Sequence, residues 1–133
     1  MKYLLDTNTC IRYLNGRAPK IREHFRLVPD TDIVISTITY GEMFFGSAKS
    51  QSPQLSRAKQ DAFFSRFVSL PFDHAAAHEF GQIRAHLEQT GTPIGPYDMQ
   101  IAAIAIAYDL IVVTHNTKEF GRLDGLKFED WEV

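Results

Sequence analysis

The stretch GPYDMQIAAIAIAYDLIVVTHNTKEF, residues 95–120, holds the clearest helix-to-strand transition of the chain. Its first part, IAAIAIAY, is apolar all the way round a helix, which is typical of a helix that runs through a protein core. LIVVT follows at 110–114, and a β-branched apolar run of this length is typical of a strand buried on both faces. A polar turn and a second, short helix, NTKEFGRL, come next. This order predicts a parallel sheet packed against helices.

The rest of the chain repeats this alternation. Four further segments have strand character and are separated by helical patterns: KYLL at 2–5, IVIS at 33–36, VSLPF at 68–72 and the final extended LKFEDWEV at 126–133. Alternating strands and helices argue for an α/β fold with a parallel sheet and helices on both faces. Pro71 places VSLPF at an edge, because proline cannot donate to a ladder. The helix after IVIS is predicted from Thr39 to about Ser47.

Composition bounds the class of protein. The chain has 133 residues, 44% of them hydrophobic and 23% charged, as expected for a single globular domain covering residues 1–133. Its longest apolar run is far too short to cross a bilayer. The opening MKYLLDTN meets an acid too early for a signal peptide. A single cysteine, Cys10, excludes an internal disulfide and favours a reducing compartment. We therefore expect a cytoplasmic protein.

Charge is distributed unevenly along the chain. The net charge is −2, yet residues 12–66 carry nine Lys or Arg against five Asp or Glu, and residues 67–133 carry four against ten. This asymmetry is a pointer to a polyanion-binding surface on the first half of the chain. Solvated helix faces explain it equally well.

Four acidic residues stand where a strand gives way to a helix: Asp6, Glu42, Asp98 and Glu119. If the strands are parallel, all four project at one sheet edge, where the ligand sites of open α/β sheets lie. Carboxylates gathered there repel one another unless a cation is present. Oxygen ligands favour Mg²⁺ or Mn²⁺, and a phosphate is the usual substrate of such a site. The pattern predicts a metal-dependent nuclease.

Helix capping is the competing explanation for three of these acids. Thr39-x-x-Glu42 has the form of a capping box, and Asn116-x-x-Glu119 nearly so. Asp98 lies two residues after a proline at a predicted helix start, where an acid favours the helix dipole. Any one of them alone fits capping better than metal binding.

Asp6 is predicted to differ, because it ends a buried strand, where an unpaired carboxylate is costly. Polar neighbours stand beside it and after LIVVT: Thr7, Asn8, Thr114 and Asn116. Their hydroxyl and amide groups could orient the carboxylates. Each could equally be a cap or a turn residue.

The chain resembles the PIN-domain ribonucleases, and among them the VapC-like toxins of bacterial toxin–antitoxin pairs. Four segments carry the resemblance in this order: LLDTNTCI, ISTITYGEMFFG, GTPIGPYDMQIAAIA and IVVTHNTKEFGRLDGLKFEDW. The resemblance implies a parallel five-stranded sheet in the order 3-2-1-4-5 and a Mg²⁺-dependent endoribonuclease in which Mn²⁺ can substitute. It carries the catalytic and metal-binding roles onto Asp6, Glu42, Asp98 and Glu119, with Asn8, Thr114 and Asn116 in support. The fourth acid is often Asp in the family. Close relatives act on the anticodon region of initiator tRNA, which implies a tRNA substrate.

The resemblance also implies partners. A cognate antitoxin is expected to lie along the segments Tyr40 to Phe45 and Leu55 to Phe67 and to direct an Arg or Lys at Asp6 and Asp98. A homodimer is expected as well. The candidates for the dimer contact are Phe63, Phe64 and Phe67, although core packing explains two of the three at least as well. The candidates for base stacking are Tyr40, Phe44 and Tyr97, and burial in the core is the favoured role of Phe44. His115 is a candidate for a phosphate contact or proton transfer.

Two other functions stay open from the residues alone. One is a non-catalytic RNA-binding or protein-binding module, in which the acids only cap helices. The other is a metal-dependent DNA nuclease, because the metal chemistry acts on the phosphate and does not separate RNA from DNA.

Overall fold

A parallel sheet of five strands in the order β3-β2-β1-β4-β5 forms the centre of the computed structural model, which describes residues 1–133. The strands are β1 (Tyr3–Leu5), β2 (Ile33–Ser36), β3 (Val68–Leu70), β4 (Ile111–Val113) and β5 (Phe128–Glu129). Every pairing in the sheet is parallel, and β1 lies in the middle between β2 and β4. The predicted α/β class and the predicted strand order are confirmed.

Seven helices connect and cover the strands: α1 (Thr7–Asn15), α2 (Pro19–Leu27), α3 (Thr37–Ala48), α4 (Pro53–Phe64), α5 (His74–Thr90), α6 (Pro96–Ala107) and α7 (Thr117–Phe120). Three of them begin with proline, which lacks the N–H that a first helical residue leaves unbonded. α1 ends at Gly16, whose φ of 67° is the left-handed conformation that glycine adopts at low cost. None of these helices has the length and apolar character needed to span a bilayer.

The core has two layers, one on each face of the sheet. On one face Leu4, Val34 and Val112 pack against α5 and α6. On the other face Leu5 and its strand neighbours pack against the aromatic residues of α2 and α4 and against Trp131. Successive strand residues point to opposite faces, so the apolar strands hold both layers in place. The two layers hold the strands in place and so fix the edge formed by their carboxyl ends, where the four acids lie.

Helix α3 begins two residues earlier than its sequence pattern suggested. Ser36 is the N-cap, and its Oγ accepts a 3.3 Å hydrogen bond from the backbone N–H of Thr39. Thr39 is therefore inside the first turn, and the capping box predicted for Thr39 and Glu42 is wrong. Among the four acids, the one that caps a helix is Asp6, whose Oδ1 accepts from the backbone N–H of Thr9 at 2.9 Å.

The aromatic residues of α4 belong to the core. Phe63 and Phe64 are 4% and 3% exposed, and Phe67, just after the helix, is 9% exposed. Their rings pack on one another and on aromatic residues of α2 and α3. They are therefore not available as the dimer contacts that were predicted for them. The exposed apolar residues of this region are Phe45 and Leu55.

Candidate active site

Asp6 lies at the centre of the candidate site, immediately after the middle strand. Its N–H continues the ladder by donating to the carbonyl of Val113 at 3.0 Å, which fixes the position of the carboxyl group. Burial raises the pKa of Asp6, and the Thr114 hydroxyl and the Thr9 N–H oppose that rise by hydrogen bonding to the carboxylate. Asp6 is thus both the N-cap of α1 and a candidate metal ligand, although its carboxylate is almost completely buried.

Glu42 is held by two buried hydroxyl groups. The Thr7 hydroxyl donates to Glu42 Oε1 at 2.6 Å, and Thr7 Oγ1 lies 3.0 Å from Thr39 Oγ1. Because the Thr7 proton goes to the carboxylate, the Thr39 hydroxyl must donate to Thr7. The predicted orienting role of Thr7 agrees with these contacts. The contribution of Thr39 was missed, since its spacing from Glu42 indicated a cap.

Asp98 projects from the first turn of α6 and is half-buried. Its predicted place after a strand is wrong, because α6 follows α5 with no strand between them. Burial first, and then the negative charges of Asp6, Glu119 and Glu42, together raise the pKa of Asp98 from 3.8 to about 6. The amide of Asn116 opposes this rise by a hydrogen bond. All four predicted acids are therefore close enough to interact at one sheet edge. Uncompensated repulsion of this kind is what a bound cation relieves.

Asn116 links β4 to Glu119. Its side-chain Nδ2 donates to Glu119 Oε2 at 2.8 Å, and its backbone N–H donates to Thr114 Oγ1 at 2.9 Å. The Asn116 side chain makes no capping bond to α7, so the near-capping-box interpretation is wrong. The amide orients the acid instead. Asn8 is exposed and lines the cavity next to Asp6.

Sequence reasoning missed the two acids that follow β5. Glu132 Oε1 accepts from Arg12 Nε at 2.6 Å, and Asp130 Oδ2 lies 2.8 Å from His115 Nδ1. Glu132 is also near enough for its charge to raise the pKa of Asp6. No local signal could have found this arrangement, since Arg12 and Glu132 are 120 residues apart and meet only through the pairing of β5 with β4.

The donor set suits a hard divalent cation. All the charged donors at the centre are carboxylates, supported by hydroxyl and amide groups, and no thiol competes with them because Cys10 is fully buried. Burial and the charge of Asp6 raise the Cys10 thiol pKa well above its ordinary value, so this cysteine is inert. The carboxylates, in contrast, match the oxygen preference of Mg²⁺ and Mn²⁺.

Comparison with known proteins agrees with this geometry. The PIN-domain family profile matches residues 3–126. The chain therefore belongs to the PIN-domain family, a class of metal-dependent nucleases. It is 44% identical to the tRNA(fMet)-specific endonuclease VapC of Salmonella typhimurium over 98% of both chains. It is also 35% identical to ribonuclease VapC2 of Rickettsia felis over 99% of both chains.

Solved structures place it further within that family. The chain superposes with a TM-score of 0.93 on DNA-bound VapBC from Salmonella typhimurium, at 44% identity and 98% coverage of both chains. VapBC2 from Rickettsia felis, bound to a promoter DNA fragment, gives a TM-score of 0.91 at 35% identity, with 98% of this chain and 99% of that chain covered. The molecule is an endoribonuclease of the VapC group.

Proposed function

We propose that this chain is the toxin of a toxin–antitoxin pair and that, as one domain, it cleaves tRNA at a Mg²⁺ site. One observation carries the proposal: four carboxylates, one directly after β1 and one each on α3, α6 and α7, interact at the edge of one sheet. The raised pKa of Asp98 reflects this interaction. The tRNA(fMet)-specific endonucleases among its relatives support initiator tRNA as the substrate. The acids would be Asp6, Glu42, Asp98 and Glu119.

Asp6 and Asp98 would hold the cation, and Glu42 and Glu119 would complete the site. A bound divalent cation would polarise the scissile phosphate and make water a better nucleophile. Thr7 fixes Oε1 of Glu42 and leaves Oε2 free to orient the attacking water. Asn116 donates to Oε2 of Glu119 and leaves Oε1 without a hydrogen-bond donor within the protein, free to complete the site. The burial of Asp6 excludes bulk water, which strengthens each of these interactions.

Tyr97 supports a single-stranded RNA substrate. It is 55% exposed and lines a cavity of about 580 Å³ together with Glu42 and Phe45. An exposed aromatic ring beside the carboxylates offers a platform on which an unpaired base can stack. Of the three predicted stacking residues, Tyr40 and Phe44 are instead half-buried and pack with Phe64. Tyr97 is the remaining candidate.

We propose that the antitoxin lies across α3 and the start of α4. Phe45 and Leu55 are 66% and 59% exposed there, which leaves apolar surface for an antitoxin segment. A basic residue of that segment could reach Asp6 and Asp98 and form a charge-assisted pair in place of the cation. The VapBC complexes among its structural neighbours support such a partner. A cytoplasmic location and a homodimer belong to the same proposal.

The deciding experiment compares the wild-type protein with Asp6→Asn on total RNA, initiator tRNA and DNA, with and without EDTA. Asn caps helices about as well as Asp, so this variant keeps the cap on α1 and loses the charge. We expect tRNA cleavage by the wild type with Mg²⁺ only, and none by the variant. Binding without cleavage would favour the non-catalytic module, and preferential cleavage of DNA would favour the DNA nuclease.

A further inference from the structure

A cavity of about 490 Å³ opens beside Asp6, on the α1 side of the sheet edge. Hydrogen-bond donors dominate its lining, which includes Asn8, Arg12, Asn15, Arg17 and His115. Only one apolar side chain contributes to it. Such a surface suits an anion, although two acids, Asp6 and Glu132, also line the cavity. Two of its basic side chains, Arg12 and His115, are held in place by acids, which distinguishes the cavity from an ordinary solvated surface.

Arg12 is held in place by a buried acid. The Glu132 side chain is 9% exposed and accepts from Arg12 Nε at 2.6 Å. Both Nη atoms of Arg12 make no hydrogen bond within the protein. The guanidinium therefore presents its remaining donors to the cavity in a fixed orientation. A planar fork of this kind matches the oxygens of a phosphodiester.

His115 is held in the same way. Its Nδ1 lies 2.8 Å from Asp130 Oδ2 and 3.9 Å from Glu132 Oε2, while the side chain as a whole is 63% exposed. The hydrogen bond to Asp130 and the charges of both acids raise the pKa of His115. Nε2 makes no hydrogen bond within the protein and is the ring nitrogen left for a ligand.

Trp131 anchors both acids. It is 1% exposed and packs against Tyr3, His24 and Phe25. Its two sequence neighbours are thereby fixed in position: Glu132 lines the cavity, and Asp130 contacts His115, which lines it as well. Asp130 thus positions His115, and Glu132 positions Arg12.

We infer that Arg12, held by Glu132, and His115, held by Asp130, form a subsite that binds an RNA backbone phosphate adjacent to the scissile phosphate. This inference rests on the proposed ribonuclease function and extends it. The cavity shares Asp6 and Asn116 with the candidate active site, so one strand can run from the subsite to the carboxylates. The subsite also offsets part of the repulsion between the RNA backbone and four acids.

RNA binding in EDTA tests the inference without cleavage. The probe is transcribed initiator tRNA, and its affinity is measured by fluorescence anisotropy at several salt concentrations. The key variant is Arg12→Gln combined with Glu132→Gln, which removes the cation without leaving a buried charge unpaired. We expect its Kd to rise about tenfold and the slope of log K against log salt to fall by ~0.7 for the lost phosphate contact. His115→Gln should weaken binding in the same direction.

The control is Arg84→Gln, which loses one positive charge on α5 and breaks an exposed pair with Glu88. Arg12→Lys should restore the salt slope of the wild type, since it keeps the charge. Circular dichroism melting checks that each variant is folded. A Kd and slope of the double variant equal to those of the control would overturn the inference.

A neutral-backbone probe locates the contact. An anticodon stem-loop with one methylphosphonate next to the cleaved bond should bind the wild type about tenfold more weakly than the unmodified probe. The double variant should not distinguish the two probes. If it discriminates between them as strongly as the wild type does, the assigned contact is wrong.

Cation binding by His115, Asp130 and Glu132, whose ligand atoms lie within 4.8 Å of one another, is the competing outcome. It is established if the variants weaken binding only when Zn²⁺ or Mn²⁺ is added, and it overturns the phosphate subsite. Cleavage assays with Mg²⁺ then test the phosphate subsite separately from the proposed ribonuclease function. A raised KM of the double variant with little change in kcat supports the subsite. A lack of any RNA cleavage by the wild type contradicts the proposed function, and the binding result is then judged separately.

Discussion

The hydroxyl of Thr7 donates a 2.6 Å hydrogen bond to Oε1 of Glu42 and so joins the first turn of α1 to the middle of α3. Thr39, which is fully buried, supports Thr7 from behind at 3.0 Å. The Glu42 carboxylate is therefore positioned by a chain of two hydroxyl groups. Such outer partners hold functional carboxylates in one orientation.

Thr7→Val should reduce RNA cleavage by about 10-fold to 100-fold, because the carboxylate loses its orienting donor. The buried Thr39 hydroxyl also loses its acceptor, which should cost about 1–3 kcal/mol of folding stability. Cleavage kinetics and chemical denaturation measure the two effects. Thr7→Ser keeps the donor and should retain nearly full turnover. Equal activity of the Val and Ser variants would contradict the orienting role.

Asp98→Asn should abolish Mn²⁺ binding and raise the melting temperature in EDTA near neutral pH. The folded-state pKa of about 6 lies above the ordinary 3.8 because of burial and neighbouring acids. Ionised Asp98 therefore opposes folding. Without metal, the contribution of Asp98 to folding stability should be greatest below its ordinary pKa of 3.8 and should be lost as the pH rises through about 6.

The Asn variant should lack this loss of stability. Calorimetry with Mn²⁺ and thermal melts over the acid range provide the measurements. Asp124→Asn is the matched control, since Asp124 is exposed and outside the site. Unchanged Mn²⁺ affinity in Asp98→Asn would remove Asp98 from the ligand set.

Glu119→Gln should lower turnover substantially with little change in melting temperature. Gln can still accept a hydrogen bond from the Asn116 side chain, so the local contact at 2.8 Å survives while the charge is lost. Single-turnover cleavage of tRNA separates this effect from RNA binding. Full activity of the Gln variant would show that Glu119 has only a structural role.

Phe45→Ser should weaken association with the antitoxin, because it removes exposed apolar surface from the proposed groove. Phe45 is 66% exposed on α3 and has no core partner to lose. Co-expression with the adjacent small reading frame, followed by size-exclusion chromatography, measures association. Leu27→Ser is the control, because Leu27 is 82% exposed on α2, away from the proposed groove. Similar co-elution of both variants would place the antitoxin elsewhere.

The order of elements and the position of three of the four acids were predictable from the sequence. Strand and helix periodicity are local properties, and buried strands such as IVIS and LIVVT show them clearly. Parallel strands place their carboxyl ends at one edge, so the acids that follow β1, β2 and β4, namely Asp6, Glu42 and Glu119, meet there. Asp98 follows no strand, because α6 comes after α5, and it reaches the same edge only through the packing of α6. The raised pKa of Asp98, caused in part by the other three acids, agrees with that position.

The role of each polar group depended on contacts between distant segments. Local spacing suggested that Glu42 caps α3 and that Asp6 does not cap a helix, yet Ser36 caps α3 and Asp6 caps α1. A capping pattern records which residues could bond to a helix end, while the tertiary packing selects the one that does. Thr7 reaches Glu42 across 35 residues of sequence.

The burial of the α4 aromatics and the joining of Arg12 to Glu132 were likewise decided by tertiary structure alone. A strongly apolar helix face fits a core or a dimer equally well, and only the packing of α4 against α2 and α3 shows that it faces the core. Arg12 and Glu132 are brought together by the parallel pairing of β5 with β4. Such contacts leave no local pattern, because their energy is gained only when segments far apart in the chain are packed side by side.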